Sequence, residues 1–529
     1  MLTDLNNLDF SECTFHGVCT VPPNASSLQE AMIILLRQIA FYILKLEGLG
    51  IKQEEIITNI IEEIAAIDVL GDYSEQQTLN IFSKFYAEFI NLKKLYTDKC
   101  KANNISCKKI KNKIILTSDT NLSAIITQGE KVFKERYGKV SEKQRELSGI
   151  LWGVMKGVCS NIITYKDLDR VYEPACHSIL HALHLFGDAK VSAAKMMSQI
   201  TGLTELNLEL LKLIYNAETE LYGETDNVRV SLSTRPGKAI MVSGSSLTDL
   251  YSVLKMTRDK NIDVYSNGNL IIAHTYPKLR EFDNFKGHFG VQHGTVLDFA
   301  NFPGAILLTK NEAQNIEYLY RGRIFTTDFA APKGVTQISS DNLSPLLESA
   351  MNARGFRTGR SKDFVSIGFN RKELDEQIAE IAEKFKAGIY KHLILAGFSD
   401  DSERQAEYFK KLFSKIPDDA FLISFSYQAD CENCLTLNAA RSYSLIYSIS
   451  EQLFSKIQIN PANVSIFLSR CDVRSLSNII SFKNKGFKNI FLSNCSPGII
   501  NPATLKAFRR IFNIMETSTP KKDLEIIFS

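Results

Sequence analysis

No helix in the 529-residue chain opens with G-x-G-x-x-G or a Walker-type loop, so a dinucleotide or nucleotide triphosphate cradle is not indicated. H-E-x-x-H is also missing, which leaves a zinc metalloprotease unsupported. No internal repeat occurs at solenoid spacing. Neither sign of charge is in excess: 62 Lys and Arg face 59 Asp and Glu, a net +3, so neither nucleic acid nor a membrane surface is demanded as a partner. The first residues, MLTDLNNLDFSECTF, carry Asp4, Asp9 and Glu12 without an apolar run, unlike a secretory signal. The longest apolar run near them, Ala31 to Leu36, is far short of a membrane span, and a cytoplasmic protein is expected. Cysteine is sparse, ten in all, and only Cys13/Cys19 and the C-x-x-C of Cys431 and Cys434 have ligand-like spacing. A tetrahedral metal site needs four ligands, and no second C-x-x-C supplies them.

Apolar residues at 44% and charged residues at 23% are the balance of a globular protein, and the length exceeds one typical core. Helical periodicity runs through Ser26–Leu46, Glu54–Ile67, Tyr73–Leu95 and a second group, Ser141–Glu220. The lysine-rich stretch Lys93–Lys113, without aromatic interleaving, reads as a solvated connector between bundles. From Lys238 the texture changes to short β-branched runs: KAIMVSG, IDVYSNG, GAILLTKN, FVSIGF, HLILAGF, FLISFS, VSIFLSR and NIFLSN. Helical patterns separate most of them, at Leu247–Met256, Lys372–Phe385, Glu403–Phe413 and Val473–Phe482. That alternation predicts two Rossmann-like α/β domains with mainly parallel sheets behind the helical bundles. The expected domains are residues 1–225 (two bundles with a connector near 98–140), 226–360 and 361–529.

Ligands of open parallel sheets bind beyond the carboxyl ends of the strands. The loops so singled out hold Ser245, Asn269, Glu312, Phe398, Ser426, Asp472 and Arg474, with one cysteine and no histidine among them.

Seven strings in consistent order, PGKAIMVSG, VYSNGNLIIAHTYPKL, FPGAILLTKN, GRIFTTD, KHLILAG, RSYSLIYSI and GFKNIFLSN, resemble the hybrid cluster protein family, also called prismane proteins or hydroxylamine reductases. The resemblance implies a cubane iron–sulfur cluster on four cysteines near the start and a hybrid iron–sulfur–oxygen cluster between the domains. It also implies reduction of hydroxylamine or nitric oxide. Cys13 and Cys19 match the second cubane pair, but the first pair falls near Met1 and Asp4. At the hybrid cluster, the family's histidine falls at Ser245 and its first glutamate at Asn269. Its next cysteine falls at Glu312 and its extra-sulfur cysteine at Phe398. Two further cysteines fall at Ser426 and Ala439, and the late glutamate and lysine at Asp472 and Arg474. None of these positions keeps the family residue, and only the last pair keeps its charge. No iron–sulfur cofactor is therefore expected here, although the family carries them.

Three local features carry two readings each. His177, His181 and His184 share a helix face and either bind a metal or are ordinary bundle residues. Cys431 and Cys434 are a zinc or redox pair, or plain thiols on a loop after Asp430. Glu312, Asp472 and Arg474 either plug a vacated cavity as a paired cluster or bind a small polar ligand in it. Two functional classes follow. One is a descendant without catalysis, kept for binding or assembly with an active paralogue or a small polar ligand. The other is a hydroxylamine or nitric oxide reductase-like oxidoreductase with an altered metal centre. If Phe398 fills former cluster volume, Phe398→Cys restores no cluster, since one thiolate is not a coordination shell. It is then expected to lower unfolding free energy by roughly 1–4 kcal/mol, read from urea melts; unchanged stability would place the ring elsewhere.

Overall fold

The structure is a computed structural model. It describes residues 23–528 apart from 67–74, 111–115, 119–120, 138–139, 187–189, 291–295, 310–321, 330, 332–333, 399–402, 427–428, 430, 440–441, 469–473 and 494–501. The first part is helical: α1 (Pro23–Glu47), α2 (Glu54–Ala66), α3 (Glu75–Ala102), α4 (Leu122–Tyr137), α5 (Glu142–Lys166), α6 (Glu173–Leu185) and α7 (Ala193–Tyr222). Helix α1 buries Ile33, Ile34, Leu35, Leu36 and Ile39 in succession, the signature of a helix covered on all sides, and it packs against α3, α4 and α6. Its contact with α4 is close enough that a Cβ on Gly129 would lie 1.8 Å from the Ser27 carbonyl oxygen. Helix α5 starts at a capping box of Ser141 and Gln144 and packs along α7. The segments Ser27–Glu47 and Glu142–Lys166 are long and apolar enough to cross a bilayer, although the run Ala31–Leu36 alone did not suggest it. Both are core helices here, 89% and 72% buried inside the protein.

The lysine-rich stretch differs from its expected form. Helix α3 continues through it to Ala102, and α4 lies within the residues taken as a connector. Phe89, Leu92, Tyr96 and Cys100 recur at helical spacing and are all buried, so Lys93, Lys94, Lys99 and Lys101 occupy the solvated face of a regular helix, and only the lysines from Lys108 on lie beyond it.

After α7, strand β1 (Val228–Ser231) precedes a parallel sheet of β2 (Lys238–Ser243), β3 (Ile262–Asn267), β4 (Phe285–His288), β5 (Ala305–Leu308), β6 (Ile324–Thr326) and β7 (Thr336–Gln337). Its order is β4-β3-β2-β5-β6-β7. Helices α8 (Leu247–Thr257), α9 (Pro277–Arg280), α10 (Val296–Asn301) and α11 (Ser344–Asn352) accompany it. Strand β8 (Phe364–Ile367), the FVSIGF run, joins neither large sheet. It pairs antiparallel with β1, Val228 opposite Ile367, because only Ile367 of its side chains is buried while Phe364 lies open under the Arg229 guanidinium. The second parallel sheet holds β9 (His392–Phe398), β10 (Ala420–Ser424), β11 (Cys434–Thr436), β12 (Val464–Leu468), β13 (Asn489–Leu492) and β14 (Met515–Glu516), in the order β11-β10-β9-β12-β13-β14. With it come α12 (Arg371–Lys386), α13 (Glu403–Phe413), α14 (Tyr443–Ile457), α15 (Ser475–Asn484), α16 (Pro502–Phe512) and α17 (Pro520–Phe528).

Counted within each sheet, both orders are 3-2-1-4-5-6, the doubly wound arrangement. Its winding reverses between β2 and β5 in one sheet and between β9 and β12 in the other. Crevices open at the carboxyl ends of those strand pairs, where the two crossovers leave in opposite directions.

One charge is buried inside the helical region. Glu63 of α2 has no exposed surface, and neither carboxylate oxygen has a hydrogen-bond partner. Burial pushes its pKa up to about 8, against a weaker pull from Lys84. A raised folded-state pKa gives stability that is full below the ordinary carboxylate range and is lost as pH rises toward 8. Glu63→Gln is therefore expected to change stability little at pH 5 and to raise it by roughly 2–4 kcal/mol at pH 8.5. Urea unfolding at the two pH values checks this; an equal effect at both would show that Glu63 is already ionised in the fold.

Candidate functional site

The crevice of the first sheet is shaped by two glycines. Gly244, just after β2, has φ 115°, and a Cβ there would lie 2.3 Å from the Thr309 carbonyl oxygen. Thr309 secures the turn: its N–H and hydroxyl both donate to the Ser243 carbonyl (3.0 and 3.1 Å), and its hydroxyl accepts from the Ser246 N–H (3.2 Å). Ser246 then caps α8 through the Asp249 N–H. Gly268, with φ 61°, ends β3 and opens the 3-10 turn Gly268–Thr275. Asn267 just before it ties strand ends together, accepting from the Ser243 hydroxyl (2.7 Å) and donating to the Phe289 carbonyl (2.7 Å). Asn269, not Asn267, faces the crevice.

The crevice ends in a cavity of about 50 Å³ between the helical region and both sheets. At roughly 10–15 Å³ per water-sized occupant it has room for about three to five. Ser245, Asn269 and Arg474, three of the positions chosen from the sequence, meet in its wall. Asn161 and Thr164 of α5, Glu218 of α7, Tyr276, and Ser442 and Ser444 at the start of α14 complete its polar lining. The Arg474 guanidinium sits 5.0 Å from the centre of the Tyr443 ring.

Glu218 was not singled out from the sequence. Its signal was there: Leu211, Ile214, Glu218 and Tyr222 fall on one face of α7, so a carboxylate interrupts an apolar stripe. It is buried, accepts from the Ser444 hydroxyl at 3.0 Å, and lies near Tyr276. Burial raises its pKa to about 7, while the Ser444 hydrogen bond, Tyr276 and the Arg474 charge hold it down. Burial, and then the Glu218 charge, push the Tyr276 hydroxyl well above its ordinary value. The cavity thus holds an acid that titrates near neutrality beside the Arg474 guanidinium.

Of the other chosen positions, the two whose side chains are described, Ala439 and Ser426, do not line this wall. Ala439 is fully buried, and its N–H donates to the Phe425 carbonyl (2.8 Å), joining the segments that follow β11 and β10. Ser426 follows β10 and is half-buried. Phe398 ends β9 beside Leu468, and its side chain lies outside the described residues, as do Glu312, Asp472, Cys13 and Cys19 altogether. His177, His181 and His184 line the solvated side of α6 without converging: His177 pairs with Glu47 (3.4 Å), and His184 leans on Phe41. Among the described residues no group of three or more His, Cys, Asp or Glu is placed to share a metal ion. Cys434 donates to the carbonyls of Ala429 and Cys431, and its sulfur accepts from the Cys431 N–H, so this thiol is used inside a turn that leads into edge strand β11.

A family model described as Prismane/CO dehydrogenase matches residues 9–428. The chain belongs to the Prismane/CO dehydrogenase family. It is 26% identical to a hydroxylamine reductase of Thermodesulfovibrio yellowstonii over 97% of both chains, and 25% identical to one of Maridesulfovibrio salexigens, also over 97% of both. Carbon monoxide dehydrogenase IV from Carboxydothermus hydrogenoformans superposes with a TM-score of 0.48 at 10% identity, over 97% of this chain and 88% of that one.

An iron–sulfur cluster of the kind this resemblance implies needs soft thiolate donors, helped by imidazole or free carboxylates. The described wall offers hydroxyls, amides, a guanidinium and one carboxylate already held by Ser444. These residues do not fit such a cluster. The Ser444 contact has a pH-dependent consequence. A hydrogen bond to a charged acceptor is worth about 1.5–3 kcal/mol and to a neutral one about 0.5–1.5. Ser444→Ala should therefore cost more stability at pH 8.5, with Glu218 ionised, than at pH 5.5, in urea titrations at both values. An equal cost at both would mean that Glu218 does not titrate between them.

Proposed function

We propose that this member of the family lacks the hybrid cluster and does not reduce hydroxylamine. It is kept for binding or assembly, with a small polar ligand in the vacated cavity or an active paralogue as its partner. The observation that carries this reading is the donor set of the cavity. Where the register puts a histidine and a glutamate ligand, Ser245 and Asn269 line the wall beside Glu218 and Arg474. Hydroxylamine reduction draws its electrons through the cofactor, and hydroxyls, amides and a guanidinium supply no redox couple in its place. A titratable carboxyl, a guanidinium and hydroxyls do suit a few-atom polar guest, which they would orient by hydrogen bonds. A cytoplasmic setting belongs to the same reading.

A second reading has its own support. Similarity to hydroxylamine reductases runs over 97% of both chains, the pattern expected of an oxidoreductase with an altered metal centre. Metal content separates the two. Protein produced and purified without oxygen, in cells that build iron–sulfur clusters, is expected to be nearly colourless and to hold well under one cluster's iron and sulfide per chain. Stoichiometric iron and sulfide with a paramagnetic signal would favour the second reading. With an artificial electron donor and an active family member as positive control, hydroxylamine reduction should not exceed a free-iron buffer control. Turnover that scales with protein and survives a chelator would overturn the proposal.

A further inference from the structure

The carboxyl end of α3 folds back on itself. Asn104 takes a left-handed conformation (φ 52°), and the Ile105 N–H donates to the Cys100 carbonyl at 3.0 Å. The reversal returns Cys107 toward Cys100, and the two thiols interact where Cys107 packs against the core that holds Cys100. The Tyr96 hydroxyl, one turn before Cys100, accepts from the Lys108 N–H at 3.1 Å and so holds the residue after Cys107 over this face of the helix. Cys100 is fully buried, whereas Cys107 is partly exposed. Three other described cysteines are placed differently. Cys159 is fully buried and Cys176 stands on α6, their thiols pushed up by burial (that of Cys176 to about 11), and Cys434 is bound to carbonyls of its own turn.

We propose that Cys100 and Cys107 form a reversible dithiol–disulfide pair that exchanges with low-molecular-weight disulfides of the glutathione type. A disulfide needs Cα atoms within about 7 Å of each other, a span that a chain reversing directly after Cys100 can meet. Cys107, the accessible partner, loses its proton and attacks one sulfur of the small disulfide. That S–S bond breaks, one small thiolate leaves and is protonated, and a mixed disulfide stays on Cys107. Cys100 loses its proton and attacks the Cys107 sulfur, and the second small thiolate leaves and is protonated. Two protein thiols are oxidised to one disulfide, one small disulfide is reduced to two thiols, and no other oxidant takes part. The interaction with Cys100, followed by burial, raises the Cys107 thiol above its ordinary value, with Lys101 opposing, so exchange is slow at neutral pH and quickens as pH rises. Closure pins the reversal after α3 to the helix beneath it, beside Tyr96.

The test uses the full chain, reduced and then equilibrated in glutathione buffers of increasing oxidised fraction, quenched by alkylation and mapped by peptide mass spectrometry. Cys100 and Cys107 should become protected together, in a peptide two hydrogens lighter, with full recovery on reduction by dithiothreitol. Cys100→Ser should leave a single glutathione adduct on Cys107. Cys107→Ser should leave Cys100 a thiol, and circular dichroism on both variants verifies that they fold. Both thiols staying alkylatable in excess oxidised glutathione would overturn the proposal. So would a stable glutathione adduct on wild-type Cys107 without closure, or pairing of either residue with another cysteine.

Discussion

Buried amides must find partners, and one chain of them sets how the helical region meets the second sheet. Asn161 of α5 donates to Asn207 of α7 at 2.8 Å, and Asn207 donates to Asn478 of α15 at 2.9 Å. All three are buried, so a slip of α7 by one residue would leave two or three amides unpaired in a dry interior. Nearby, the Ser481 hydroxyl donates to the Thr204 carbonyl and the Asn484 amide to the Thr204 hydroxyl, across the same seam. With the register of α7 held, Glu218 is placed against Ser444 and Tyr276, and the cavity takes its shape from that.

The cavity and its support respond differently to pH. Beneath the Asn269 turn, the Ser266 hydroxyl lies between His274 Nε2 (3.0 Å) and His288 Nδ1 (2.9 Å), and His274 stacks on Phe285. Burial pushes both imidazoles down to about 3, so they stay neutral through the physiological range. Their stabilising effect is lost only as pH falls from the ordinary histidine range toward 3. Glu218 changes charge near 7, where the two imidazoles beneath the Asn269 turn stay neutral. A guest in the cavity would thus meet either a proton donor or an anion next to Arg474, on an unchanged scaffold.

Much of the sheet architecture was legible because central parallel strands are buried on both faces and read as unbroken apolar runs. KAIMVSG and VSIFLSR became β2 and β12 on that basis, every residue of β12 being buried. FVSIGF has the same composition over a shorter length but exposes one face, and composition alone does not distinguish a central strand from an outlying ribbon. The lysine-rich segment misled for a related reason. Lysines at solvated helix positions look like a linker until Phe89, Leu92, Tyr96 and Cys100 are counted on the opposite face.

At the candidate site, sequence order alone located the strand-end loops, because a parallel sheet delivers the carboxyl ends of its strands to one edge. Ser245, Asn269 and Arg474 were chosen that way and do meet in one wall. The sequence by itself also determined the donor types available there, since a serine or an asparagine cannot act as a thiolate in any fold. Only the tertiary structure decided which side chains reach the cavity. It brought in Glu218 from a helix more than two hundred residues before Ser444 in the chain, and it left Ala439 outside. The physical reason is that burial, and with it the protonation of Glu218 near neutrality, depends on packing between α7 and α14, and local sequence carries no record of that long-range contact.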